Sequence, residues 1–175
     1  IGMAFAAGMC AFPGGRVDPA DAAGGDAHIV AAVRETFEET GVLLAGPDDA
    51  SVVPDADGEL WEQARREVVA RRLDFVELLG SRGLVLRADL LARWAHWVTP
   101  AFEPRRYDTW FFVAALPPGH EPRDVSGEAD AAAWMTPAAA VTGADSGRLK
   151  MLPPTYVVLR ELSAYRTVAD VLAAT

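Results

Sequence analysis

Arg34-Glu35-Thr36-Phe37-Glu38-Glu39-Thr40-Gly41 sets three carboxylates and a guanidinium within six positions. Like charges one helical turn apart repel each other, so a helix that gathers Glu35, Glu38 and Glu39 needs compensation. A divalent cation supplies it. Carboxylates together with backbone carbonyls make a hard oxygen donor set, suited to Mg²⁺ or Mn²⁺ rather than zinc. Arg34, beside the cluster, can hold a carboxylate in one orientation through a charge-assisted hydrogen bond. Upstream, Pro13-Gly14-Gly15 brings bare backbone carbonyls towards the acidic turn.

These residues must be carried by elements that the apolar pattern announces. Ile29, Val33 and Phe37 recur at i, i+4 and i+8, which predicts a helix from about Ala27 that Gly41 stops. At about 100° per residue the apolar stripe centres near ~40° and the glutamates near ~235°. The carboxylates are therefore expected to point away from the core. Ahead of the helix, Ala7–Phe12 reads as a strand ending at Pro13-Gly14-Gly15, followed by a loop, "RVDPADAAGGD". Val42–Leu44 reads as a buried strand.

Beyond a Pro- and Asp-rich connection, Gly46–Gly58, one long amphipathic helix is expected from about Glu59 to Leu79 and a second over Ala88–Trp94. Their arginines and glutamates would form a solvated face. Strands are expected at "HWVT", at Tyr107–Leu116 and at "AAAWMT", with helices beginning at Pro137 and Pro153. The five tryptophans are assigned to the core. The fold class is thus α/β, one domain over 1–175 with helices packed on a mixed sheet and a helical insertion at about 59–95. The abrupt start predicts that a first N-terminal strand is missing.

Composition excludes several functions. With 51% hydrophobic residues, a 175-residue chain can bury a core. A formal charge of −9, with Lys150 the single lysine against fifteen arginines, is the opposite of a nucleic-acid surface. No stretch reaches the ~20 apolar residues of a membrane span. Cys10 is alone, so no disulfide framework exists and a reducing, cytoplasmic setting is expected. His28, His96 and His120 show no metal-ligand spacing and read as surface or packing residues.

Arg34 to Val42 resembles the second half of the signature of the Nudix hydrolases, G-x5-E-x7-R-E-U-x-E-E-x-G-U, where U is bulky and aliphatic. Thr36 departs from it at an aliphatic position. Counting x7 back from Arg34 reaches Asp26, and counting x5 from Gly15 reaches Asp21, so the box carries an insertion of five residues and either aspartate can fill the glutamate's role. More widely, "FAAGMCAFPGGRVDPAD", "WVTPAFEPRRYDTWFF" and "LPPTYVVLREL" are similar to the Nudix subgroup that contains the peroxisomal coenzyme A diphosphatase, which also interrupts its box.

The resemblance implies an α/β/α sandwich with a mixed sheet, and hydrolysis of a nucleoside diphosphate derivative with Mg²⁺ or Mn²⁺. It implies Glu35, Glu38 and Glu39 as metal ligands, with the Gly15 carbonyl completing the shell and Arg34 orienting the carboxylates. Which glutamate serves as base stays open. Glu128, with Asp130 behind it, is the candidate acid from a later loop, and Arg105 and Arg106 are candidates for phosphate recognition. The expected partner is a small molecule, coenzyme A or acyl-CoA first, with nucleotide sugars, dinucleotides or ADP-ribose as alternatives. No nucleic acid or membrane partner is expected, and the inserted helices would suit a homodimer. A non-hydrolytic nucleotide sensor on the same fold is the rival reading. If metal alone relieves the glutamates, neutralising Glu38 or Glu39 should leave metal-free stability unchanged or raised.

Overall fold

The computed structural model describes residues 9–54, 56–123 and 134–175. The chain divides into two compact units, one of residues 13–91 with 115–127 and the other of residues 1–12, 92–114 and 128–175.

The first unit is built around helix α1 (Ala27–Thr40), which runs between the expected limits. Asp26 caps its start by accepting the His28 N–H, and Gly41 ends it in the left-handed region at φ 75°, its N–H returning to Phe37 O. Val30, Val33 and Phe37 are buried against Val68, Phe75, Leu78 and Leu79. The Phe37 ring meets Trp61 edge-on at 6.2 Å and Phe75 at 6.1 Å. Thr36, the polar residue at an aliphatic position, satisfies its hydroxyl on the Ala32 carbonyl four residues back.

The expected long helix is two. α2 (Glu59–Val69) ends, Arg71 takes a positive φ of 58°, and α3 (Phe75–Ser81) restarts behind Asp74, whose carboxylate accepts the Val76 and Glu77 N–H groups. An aspartate that can serve the backbone as an N-cap favours a new start over helix interior. The buried run Val42–Leu44 gives its Leu44 carbonyl to the Arg87 N–H and leads into β1 (Ala45–Gly46), which lies antiparallel to β2 (Val85–Leu86). The helix expected over Ala88–Trp94 is absent. Arg87 forms a forked pair with Asp89 across a short 3-10 turn, Ala88–Leu90, and the chain then enters a strand.

In the second unit that strand, β3 (Ala92–Val98), forms an antiparallel hairpin with β4 (Asp108–Val113), from Ala92↔Val113 to Val98↔Asp108 with an irregularity between Arg93 and Ala95. His96 and Trp110 face each other across it with rings stacked 4.0 Å apart. Helices α4 (Pro137–Asp145) and α5 (Pro153–Leu162) start at their expected prolines, and a short α6 (Val168–Leu172) follows. Trp94 packs edge-on against Tyr165 and donates its indole N–H to Glu161.

The strand expected over Ala7–Phe12 does not extend through Met9–Phe12, where Cys10 N–H bonds instead to Lys150 O. The first half of the strand expected at "AAAWMT", residues 131–133, lies outside the described residues, Trp134–Thr136 form no strand, and Trp134, 75% exposed, is not core. Among the described residues no helix is long and apolar enough to cross a membrane.

Candidate active site

Arg34 organises the site. It is buried at 2% exposure and donates to five acceptor atoms. Nε and Nη2 form a fork with Asp21 Oδ1 and Oδ2 at 2.9 and 3.0 Å. Nη1 reaches Glu35 Oε1 at 2.8 Å and Glu38 Oε1 at 3.1 Å, and Nη2 also donates to the Arg16 carbonyl. Only a planar guanidinium has donors in the directions this set requires. The pairing divides the roles of the two aspartates. Asp21, at the spacing counted from Gly15, is buried on Arg34 and also accepts the Asp18 N–H, whereas Asp26 caps the helix.

The glutamates lie opposite the apolar stripe, as the periodicity requires, but Glu35 and Glu38 are not in solvent. Each is 7% exposed. The reason is the segment before the helix: Asp18 and Asp21 of the turn around Pro19–Gly24 come onto Arg34 from that side. Burial raises the Glu35 pKa above its usual value, against the opposing pull of Arg34. Burial alone would lower the pKa of Arg34, but its bond to Asp21 and the charges of Glu35 and Glu38 outweigh it and hold the guanidinium firmly charged.

The glycine loop meets this cluster. A Cβ on Gly15 would fall 2.5 Å from Glu35 Oε1 and 2.6 Å from its Cδ, so any larger residue there would push the Glu35 carboxyl from its place on Arg34. Gly14 N–H donates to Glu39 Oε1 at 3.2 Å. The stretch chosen for its bare carbonyls thus lies against two of the three glutamates.

Two arginines from α2 and its end, assigned from sequence to a solvated face, reach the same cluster. Arg65 is buried, donates Nη1 to the Glu38 carbonyl at 2.6 Å and forks onto Glu62. Arg71 pairs with Asp18, and its Nη1 lies 3.5 Å from Glu38 Oε1. The apolar pattern of α2 carried no sign of either contact. A basic residue at a helix end before an Asp N-cap was the available signal for Arg71.

Among the described residues no three acidic, His or Cys side chains are gathered into a ready-made metal cage. Glu35 and Glu38 direct their Oε1 atoms to Arg34, and Oε2 of each accepts no hydrogen bond among the described residues. Chemically the donor types, glutamate carboxylates of one helix beside the backbone of a glycine loop, fit a hard divalent ion. Arg105 and Arg106 lie exposed in the β3–β4 turn of the other unit, Arg106 donating to the Thr99 carbonyl. Glu128 and Asp130 lie outside the described residues.

The family model for the NUDT19 Nudix domain matches residues 22–162, which includes all of α1 and its glutamates. The chain belongs to the Nudix hydrolase family. It is 28% identical over 153 residues to acyl-coenzyme A diphosphatase NUDT19 of Xenopus laevis and 31% identical over 153 residues to that of Homo sapiens. Each alignment covers 81% of this chain and 40% of the relative, so the chain spans about two fifths of the length of these curated relatives. The crystal structure of a Nudix hydrolase from Alicyclobacillus acidocaldarius superposes with a TM-score of 0.83 at 32% identity, covering 96% of this chain and 81% of that one. The α/β Nudix fold expected from the sequence is the fold observed.

Proposed function

We propose that this Nudix protein hydrolyses the diphosphate linkage of a nucleoside diphosphate derivative, with coenzyme A or an acyl-CoA as the preferred substrate class. The observation that carries the reading is the Arg34-centred cluster, in which Glu35 and Glu38 share one guanidinium nitrogen while Gly15 lies against Glu35 and Gly14 N–H bonds to Glu39. Similarity to acyl-CoA diphosphatases supports the substrate class.

In this reading Glu35, Glu38, Glu39 and the Gly15 carbonyl hold Mg²⁺ or Mn²⁺. The bound ion would neutralise phosphate charge and acidify water. Arg34 orients Glu35 and Glu38 through the hydrogen bonds of its Nη1. Asp21 holds Arg34 in that pose through the fork on Nε and Nη2. Arg105 or Arg106 engages phosphate, and Glu128 supplies a further acid. Support for a single domain over 1–175 comes from the family model, whose match runs through both compact units.

Chromatography of products tests this reading. The chain is incubated with Mg²⁺ and, separately, coenzyme A, ADP-ribose, a nucleotide sugar and a diadenosine polyphosphate, with Glu39→Gln as the blank. The expected products are 3′,5′-ADP and phosphopantetheine from coenzyme A, absent in the blank. Cleavage of another substrate instead would refute the coenzyme A preference, and cleavage of none would refute hydrolysis.

A further inference from the structure

Four carboxylates, Asp18, Asp21, Glu35 and Glu38, lie within 4 Å of the Arg34 guanidinium. One positive charge does not balance them. The second comes from Arg71, a residue of the α2–α3 connection, which pairs with Asp18 and places Nη1 3.5 Å from Glu38 Oε1. Its backbone is unusual. Among the described residues Arg71 is the one non-glycine with a positive φ, a conformation that L side chains disfavour. Closure of the helix end holds it there: Arg71 N–H bonds to Val68 O, and the Arg72 and Leu73 N–H groups both return to Glu67 O. The next arginine, Arg72, turns to Glu67 instead.

We propose that Arg71 is a resident counter-cation on the carboxylate cluster that a divalent ion must displace from Glu38, so that Arg71 sets the affinity of the site for metal. This rests on the reading of Glu35, Glu38 and Glu39 as the metal-holding face. The two guanidiniums differ in how easily they can leave. Arg34 is 2% exposed and its donors are all engaged with buried or backbone acceptors, so it stays. Arg71 is 51% exposed, and ion pairs that open to water contribute little to stability. A dication brings to Glu38 more charge than Arg71 does, and repels the guanidinium as it arrives.

Mn²⁺ binding, measured on the metal-free full chain by calorimetry and by the paramagnetic resonance of free ion, decides the matter without recourse to turnover. Arg71→Gly removes the guanidinium and suits the left-handed backbone, and Arg71→Asn, which also tolerates it, guards against a fold-specific artefact. Both should bind Mn²⁺ roughly three- to tenfold more tightly than the wild-type chain, while Arg71→Lys, which keeps the charge, should stay near wild type. Equal or weaker binding by the Gly and Asn variants would overturn the role of Arg71 and leave the metal reading intact. Absence of Mn²⁺ binding in every chain would overturn both.

Discussion

Replacing Arg34 by methionine keeps an unbranched apolar stem and removes every charge-assisted bond at the centre of the cluster. Asp21, Glu35 and Glu38, at 2%, 7% and 7% exposure, would be left without their main counter-charge. Stranding one partner of a buried pair costs about 3–5 kcal/mol. Arg71 and entering water would relieve Glu38 and Glu35 in part, so the expected loss is about 4–5 kcal/mol, a large fraction of the 5–15 kcal/mol typical of a domain. The assay is urea unfolding of the metal-free chain at pH 7, followed by circular dichroism. Arg34→Lys should fall between, since one ammonium cannot fork onto Asp21 and still reach Glu35, Glu38 and the Arg16 carbonyl. Adding Asp21→Asn to Arg34→Met should recover about 2 kcal/mol by removing one stranded charge. Lowering the pH should also narrow the deficit, because burial, which already raises the Glu35 pKa, then favours its neutral form. A loss under about 1 kcal/mol, or one insensitive to both Asp21→Asn and pH, would refute the view that Arg34 neutralises this cluster.

Three further outcomes are expected. Glu39→Gln should abolish diphosphate cleavage while leaving metal-free stability within about 0.5 kcal/mol, because an amide oxygen can still accept the Gly14 N–H, as urea unfolding would check. The Glu62 pKa lies below its usual value, first because of the Arg65 hydrogen bond, so this pair stabilises above the unfolded pKa near 4.5 and its contribution fades as pH falls through the lower folded value. Glu62→Gln should therefore be less stable than wild type by a few tenths to about 1 kcal/mol at pH 7 and indistinguishable at the acid end of the unfolding series. His120 is 5% exposed with neither ring nitrogen hydrogen-bonded among the described residues, so His120→Leu should raise the melting temperature, by an amount corresponding to about 1–2 kcal/mol.

What the sequence revealed follows from how local each cause is. α1 was legible because a 3.6-residue stripe and a C′ glycine act over a few positions, and the carboxylates, glycine loop and Arg34 could be grouped by type and spacing. The break at Arg71–Asp74 was missed because the apolar period continues through it while Asp74 prefers to cap. The strand at Ala92–Val98 was read as helix in its first half because its identity comes from pairing with Asp108–Val113, a partner that periodicity alone does not reveal. The burial of Glu35 and Glu38 was not legible for a related reason. A helical wheel separates faces without saying what covers them, and here Asp18 and Asp21 cover the polar one through Arg34. Glu38 is paired as well as repelled, so Glu38→Gln should lower metal-free stability.

Asp21 keeps its distance from Gly15 along the chain and still meets Arg34 in space, so the five surplus residues of the box fall between Asp21 and the helix, ending at the Asp26 cap. Nothing lies within 4 Å of where a Cβ on Gly25 would stand. The interruption therefore sits at a seam where the chain can lengthen without disturbing a single contact of the guanidinium. A pattern search that counts positions from glycine to arginine rejects such a box, whereas a search for the fork between an acid and the arginine accepts it. In lineages where this seam has grown, motif length would drift while the charge lattice stayed still, and the two properties should be scored separately when distant relatives are sought.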